Sequence, residues 1–337
     1  MKKILLCSAA IVGVAFAAAP ALAQVDVTVG GHTKNYFGYA DNDGDAREWD
    51  MLRESEIHFN AEGTADNGLT YGFHVETEAD GNDSMDVEES YLYLASNLGR
   101  LNLGSEDGAA YLLQVAAPSA DSNIDGLRQY INPFTEIDSI DYDNDATGTS
   151  EKVTYLSPNW NGLQLGVSYT PSIEDDTSGL EGFSPDDNDD FYEGAVRYEG
   201  TFNNIGFALG GGYGESGGDD DFQQWNVGAD FDIGAFGLGA AYTEEESDDV
   251  VLGDTDQDTI VVGADYTTGP FQFGVSYLNL DGEDDTVDAD RYAAGVVYTL
   301  TQGLTLRGSV QYVDSDDDAA GDDEDATAVL GGIQFNF

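Results

Sequence analysis

The stretch Phe222-Gln223-Gln224-Trp225-Asn226-Val227-Gly228-Ala229-Asp230-Phe231 changes character at every residue. Gln223, Trp225, Val227, Ala229 and Phe231 fall on one face, while Gln224, Asn226, Gly228 and Asp230 fall on the other. A two-residue period is the mark of a half-buried β-strand. The same rhythm returns in Phe236/Leu238/Ala240/Tyr242, Ile260/Val262/Ala264/Tyr266 and Phe271/Phe273/Val275/Tyr277. It continues in Tyr292/Ala294/Val296/Tyr298, Leu304/Leu306/Val310/Tyr312 and Val329/Ile333/Phe335/Phe337. The opposite face is small or polar, as at Gly263, Asp265, Gln272, Gly274, Ser276, Thr305, Arg307, Ser309 and Gln311.

A soluble sandwich alternates in this way too, so the placement of aromatics has to decide. Tyr155/Trp160, Tyr198/Phe202, Phe231/Phe236 and Tyr266/Phe271 bracket short connections, and Tyr169, Tyr242, Tyr277 and Tyr312 stand beside long acidic ones. Phe271 and Tyr277 are about 20 Å apart at roughly 3.3 Å per residue. That spacing fits two aromatic girdles around an apolar band about 25 Å tall, as in a transmembrane β-barrel. The short connections are rich in Gly, Pro, Asn and Asp, which is turn chemistry. Seven short and eight long connections alternate, as 16 antiparallel strands require. The strands so read span 25–39, 51–61, 69–79, 86–95, 100–105, 151–156, 163–170, 191–199, 205–213, 222–231, 236–242, 259–266, 271–279, 291–300, 304–313 and 326–337. The expected fold is all-β: a transmembrane antiparallel barrel with short periplasmic turns and long acidic external loops.

Residues 1–23 read as a cleaved signal peptide. Lys2 and Lys3 precede the apolar run Ile4–Ala19, and Ala21-Leu22-Ala23 supplies small residues for cleavage before Gln24. Residues 24–337 then form a single domain. Cys7 is the only cysteine, so the exported chain has neither a disulfide framework nor a thiolate metal site. His32, His58 and His74 are far apart in sequence and lack the spacing of a zinc motif; they read as lumen or girdle polar residues. The net charge of −55 excludes nucleic acid as a partner, because phosphate recognition needs basic surface. The acidic residues gather in blocks, as at Asp186–Asp190, Glu244–Asp249 and Asp322–Asp325, which suits solvated loops.

Glu106–Ser150 is the longest segment without strand rhythm. A connection this long in a compact protein is usually functional or disordered, and here it is read as folding into the lumen. Three blocks then carry a family resemblance: Val87–Leu94 with Gly99 and Gly104, Tyr155–Pro158 with Gly162–Tyr169, and the terminal Ile333–Phe337. With these at this order and spacing, the mature chain resembles the Gram-negative general porins, in particular the alphaproteobacterial type. The resemblance implies a 16-stranded barrel, usually a homotrimer, whose third external loop is folded inward. It also implies outer-membrane lipid and lipopolysaccharide as surroundings, small hydrophilic solutes as cargo, and insertion by the barrel assembly machinery reading Phe337 as its signal.

In that family the inward loop faces carboxylates toward a basic cluster on the opposite wall. Carried onto this chain, the acidic side of the constriction comes from Glu106, Asp107, Asp121, Asp125, Glu136 and Asp138. Strand alternation puts Lys34, Arg100, Arg197, Arg291 and Arg307 on the lumen face. They come from scattered strands, unlike the stacked arginines of the family. Lys34 and Arg307 are the best candidates for that basic side, because the first and penultimate strands approach each other where a barrel closes.

No cofactor is required by any motif. Asp141, Asp143 and Asp145 are spaced like the start of a calcium loop, but Ala146 stands where an EF-hand needs glycine, so only non-EF calcium binding is left open there. No nucleophile elbow, phosphate loop or catalytic carboxylate pair stands out, and an enzyme is not expected. The expected function is a passive diffusion channel in the outer membrane, selective for cations because carboxylates crowd its mouth. The alternatives are a substrate-specific channel on the same fold and a calcium-stabilised adhesive surface β-protein.

Overall fold

The computed structural model describes residues 25–41, 48–79, 86–119, 127–129, 131–134, 137, 139–172, 190–217, 222–247, 256–282, 287–317 and 322–337. The strands are β1 (Val25–Asp41), β2 (Trp49–Thr64), β3 (Thr70–Glu78), β4 (Val87–Ser96), β5 (Gly99–Ser105), β6 (Glu151–Leu156), β7 (Leu163–Thr170) and β8 (Phe191–Phe202). They continue with β9 (Ile205–Ser216), β10 (Phe222–Ile233), β11 (Phe236–Ser247), β12 (Gln257–Thr268), β13 (Phe271–Gly282), β14 (Val287–Thr301), β15 (Leu304–Asp317) and β16 (Asp322–Asn336). Each pairs antiparallel with its sequence neighbours, and β1 pairs with β16, so the sheet closes on itself. A closed barrel has no free edge, which is what a membrane demands of a sheet. Closure is finished by two backbone hydrogen bonds, Gly31 N–H to Phe337 O at 3.1 Å and Phe337 N–H to Gly31 O at 3.0 Å.

The alternation seen in the sequence becomes an outer and an inner face. Along β10, Val227 and Phe231 are exposed on the outside while Gln224 and Asn226 are buried inside. Val262, Phe273, Val275, Leu306, Val310, Val329 and Ile333 extend the outward apolar belt. Aromatic pairs edge it at both ends. Phe236–Tyr266 (4.8 Å) and Phe271–Tyr298 (4.7 Å) lie beside the short turns, and Tyr169–Tyr192 (5.1 Å), Trp225–Tyr242 (5.0 Å) and Tyr277–Tyr292 (4.9 Å) lie toward the long connections. The β8–β9 turn shows why its residues are what they are. Asn203 (φ 49°) and Asn204 (φ 65°) both adopt the left-handed conformation that a two-residue hairpin needs, and asparagine tolerates it.

The strands run further toward the long connections than their apolar rhythm reaches. β11 extends through Ser247, β14 begins at Val287, and Asp314–Asp317 pairs with Asp322–Asp325 across β15 and β16. The segment expected as a loop over 314–325 is therefore largely a ladder. Above the apolar belt the outward face meets water, so the backbone ladder continues with no apolar residue to signal it. The acidic blocks at 186–189 and 248–249 and the expected signal peptide, 1–23, lie outside the described residues.

The inward segment has a wall built to receive it. It leaves β5 through a single helical turn, α1 (Ala109–Leu112), which lies against β6–β9, and then crosses the inner face of β9–β12. Glycines occupy the contact positions there. A Cβ on Gly210 would stand 2.7 Å from Val115 Cγ2, and one on Gly239 would stand 2.7 Å from Pro118 Cδ. Gly228 and Gly263 likewise abut the carbonyls of Val115 and Pro118. These glycines are present for close approach of backbone to backbone.

Candidate functional site

The lumen segment is fastened by polar groups that the barrel supplies. Ala109 N–H donates to Ser168 Oγ at 2.8 Å. Lys152 Nζ donates to the carbonyls of Glu106 and Gly148, tying the outgoing and returning ends together. Gln114 joins the two legs: its Nε2 donates to Tyr142 O at 2.8 Å, and its Oε1 accepts from Asn144 N–H at 2.8 Å. Phe134, Ile137, Ile140 and Tyr142 form an apolar cluster with Ala241, Val261, Leu278, Ala289, Val313, Ala326 and Ala328 of the wall and Ala40 of β1. The described part of the segment thus lines the barrel from β6 round to β1.

Arg128 closes the segment on itself. Its Nε donates to Asp143 at 2.5 Å, its Nη2 pairs with Asp145 and stands 3.6 Å from Asp107, and its guanidinium lies 4.2 Å from the Tyr111 ring centre. Burial raises the carboxyls gathered here: Glu106 is pushed up to about 7, Asp107 to about 6 and Asp145 to about 8. Burial also raises Asp141, which accepts the Gln129 N–H at 2.6 Å. Asp141, Asp143 and Asp145, the trio with calcium-like spacing, are therefore engaged by the Gln129 amide and Arg128.

Of the six acidic residues expected at the constriction, Glu106 and Asp107 sit buried at the root of the segment, where Asn102 Nδ2 donates to Glu106 at 2.5 Å. Asp121, Asp125, Glu136 and Asp138 lie outside the described residues. The five basic residues do not gather into one patch. Arg197 donates to Gln114 O at 2.6 Å, and Arg291 donates to Gln129 Oε1 at 2.8 Å and Ile140 O at 2.7 Å, so both hold the segment. Lys34 is buried 2.8 Å from Glu54. Arg100 lies over the Tyr93 ring at 4.1 Å and donates to Asn102 at 2.7 Å. Arg307 contacts Thr305 Oγ1 at 3.4 Å, and its strand position faces Gly332 while that of Lys34 faces Gln334.

The inner face of β1–β4 holds what the sequence spacing concealed. His32, His58 and His74 come from successive strands and alternate with Glu54, Glu56, Glu76 and Glu89. His58 and His74 rings are 5.8 Å apart, and His32 and His58 rings 6.3 Å. The short β2–β3 turn sets the register, placing His58 opposite Glu76 and His74 opposite Asn60. Residues 58 and 76 are equally distant from Asn67 in that turn. The sequence signalled the partners of neither Arg128 nor Lys152, because these are fixed only by how the segment folds inward.

A closed 16-stranded antiparallel barrel with an apolar outer belt, a polar inner face and a long segment laid inside it defines an outer-membrane channel. The sequence profile of the Gram-negative porins matches residues 8–318, and the chain belongs to that family. Solved structures agree on the fold. The anion-selective porin from Comamonas acidovorans superposes with a TM-score of 0.67 at 18% identity, covering 93% of this chain and 100% of that one. OmpT of Vibrio cholerae, in a trimer form, gives 0.65 at 15% identity, covering 93% and 99%. A mutant of the Rh. blastica porin gives 0.63 at 17% identity, covering 92% and 100%. No curated protein matches the chain significantly. The protein is a channel of the outer membrane and not an enzyme.

Proposed function

We propose that this porin is a cation-selective diffusion channel for small hydrophilic solutes, exported with a cleaved signal peptide and assembled as a homotrimer. The observation that carries the selectivity is the inner face of β2–β4. There this chain sets Glu54, Glu56, Glu76 and Glu89 among three histidines. Carboxylates on the wall and an overall charge of −55 together attract cations to the ion path. The anion selectivity printed for the Comamonas acidovorans protein is that protein's own, and an identity of 18% carries only the fold. The test is a reversal potential across a planar bilayer with a salt gradient. Cations should be preferred, most strongly in dilute salt, because the Debye length shrinks from about 30 Å at 0.01 M to about 3 Å at 1 M. Replacing Glu56, Glu76 and Glu89 with glutamine should weaken the preference. An anion-preferring channel in dilute salt would overturn the proposal.

A further inference from the structure

We propose that the histidine–glutamate ladder on β1–β4 is a binding site for divalent transition-metal cations, of which zinc is the reference case. Two triads of donor atoms compose it. In the first, Glu56 Oε2 stands 3.3 Å from His32 Nδ1 and 3.1 Å from His58 Nε2. In the second, His74 Nε2 stands 3.5 Å from Glu76 Oε2 and 3.4 Å from Glu89 Oε2. Within each triad all three donors lie within 4.8 Å of one another. A tetrahedral ion with bonds near 2.05 Å separates its ligands by about 3.3 Å, and two of the three separations in each triad already match that distance. His58 Nε2 is also 3.2 Å from Glu76 Oε2, which makes the two triads neighbours on one wall.

A second observation concerns the nitrogens that face away. His74 Nδ1 donates to Asn60 Oδ1 at 2.7 Å, which turns Nε2 toward Glu76 and Glu89. His32 Nε2 pairs with Glu54, which turns Nδ1 toward Glu56. Glu54 is in turn held by Lys34 at 2.8 Å. Metal-binding histidines are oriented in this manner, with the non-ligating nitrogen hydrogen-bonded to a carboxylate or carbonyl oxygen. Each triad combines imidazole with carboxylate, a donor set that suits zinc, nickel or copper better than calcium or magnesium, which take all-oxygen shells. Glu76 and Glu89 together balance the charge of a divalent ion. Glu56 is 8% exposed, so an ion there offsets a carboxylate otherwise held away from water.

The test is zinc retention by the full-length exported protein, folded in detergent and dialysed against micromolar zinc with millimolar calcium and magnesium present. The excess hard cations occupy oxygen-only sites among the acidic loops. Two zinc ions per chain are expected. The double variant H32Q/H58Q should retain one, H74Q should retain one, and the triple variant none. Heat-modifiable gel mobility reports that each barrel is folded. Zinc absorption spectroscopy on the unsubstituted protein needs no variant: an imidazole-containing shell supports the site, and an oxygen-only shell overturns it. Retention unchanged by loss of all three histidines, or no retention at all, also overturns it. Binding is read apart from conductance, so its failure leaves the channel assignment standing.

Discussion

Arg128→Met removes the cation around which the lumen segment is gathered and keeps an unbranched apolar stem. Asp107, Asp143 and Asp145 would lose their shared partner, with 11%, 16% and 8% of their side chains exposed. Breaking a buried ion pair by removing one partner costs about 3–5 kcal/mol. The guanidinium is 24% exposed, so we place the loss of segment docking lower, at roughly 2–3 kcal/mol near pH 8.5. At 1.36 kcal/mol per factor of ten, that is roughly a 30- to 150-fold fall in protection. Hydrogen exchange of peptides covering 108–119 and 139–150 reads this local opening, while the strands serve as an internal control. The effect has a pH sign. Burial holds Asp107 up to about 6 and Asp145 up to about 8, above their values in an undocked segment. Such groups bind protons more tightly when docked, so their contribution is full at the acid end and is lost as pH rises through those values. At pH 5 Asp107 and Asp145 are largely protonated and need no cation, so the variant should differ from the parent by clearly less than at pH 8.5. Equal loss at pH 5 and pH 8.5, or no change in exchange at either, would refute the role given to Arg128.

Three further outcomes are expected. Val275 is 56% exposed on the outer belt, so Val275→Arg should cut the yield of folded barrel, at a cost of roughly 2–4 kcal/mol near the bilayer midplane, whereas Val275→Leu should not; equal yields of heat-modifiable protein would place that face elsewhere. Deleting Phe337 removes both the terminal aromatic and its backbone pair with Gly31, and should lower the amount of inserted protein in outer-membrane fractions; unimpaired insertion would count against the terminal Phe as an assembly signal. Gly210→Val drives a branched side chain into Val115 and the Leu113 carbonyl, an overpacking cost of about 1–3 kcal/mol, and single-channel recordings should show a broader conductance distribution; an unchanged distribution would mean that the segment does not narrow the pore.

The barrel was legible because its physics is local. A strand with lipid on one side and water on the other must alternate, and Phe271–Tyr277 shows both the alternation and its aromatic ends. Where the outward face leaves the lipid that requirement lapses, which is why Asp322–Asp325 reads as loop and folds as strand. The glycine wall was visible only as a small, polar face: Gly263 reveals nothing about Pro118, which approaches it from more than a hundred residues away. The histidines fall between these cases. Their places on the inner face follow from alternation, but metal motifs run along one strand, and a ladder of ligands across four strands has no linear spacing. Lys152 was absent from the expected lumen cations although it alternates correctly on β6, and its partners are carbonyls of the segment.

The distribution of positive charge links the fold to the proposed selectivity. Lys152, Arg197 and Arg291 donate to backbone carbonyls of the lumen segment, and Arg128 to its carboxylates. Much of the basic charge inside the barrel is thereby used to hold the segment in place. Lys34 is matched by Glu54, and Arg100 rests on Tyr93. In the family arrangement an acidic loop faces a basic wall, and the field runs across the pore. Here the carboxylates of β2–β4 lie on the wall itself, beside three histidines. Under the proposed selectivity, the transverse field is weakened and the potential along the path is net negative. At physiological ionic strength the Debye length is about 8 Å, so wall carboxylates act on an ion passing within one side chain's reach, while the acidic rungs of β15 and β16 at the mouth act mainly in dilute solution. Neutralising Glu56, Glu76 and Glu89 should therefore change selectivity at all salt concentrations, and shortening the β15–β16 hairpin should change it only when salt is low.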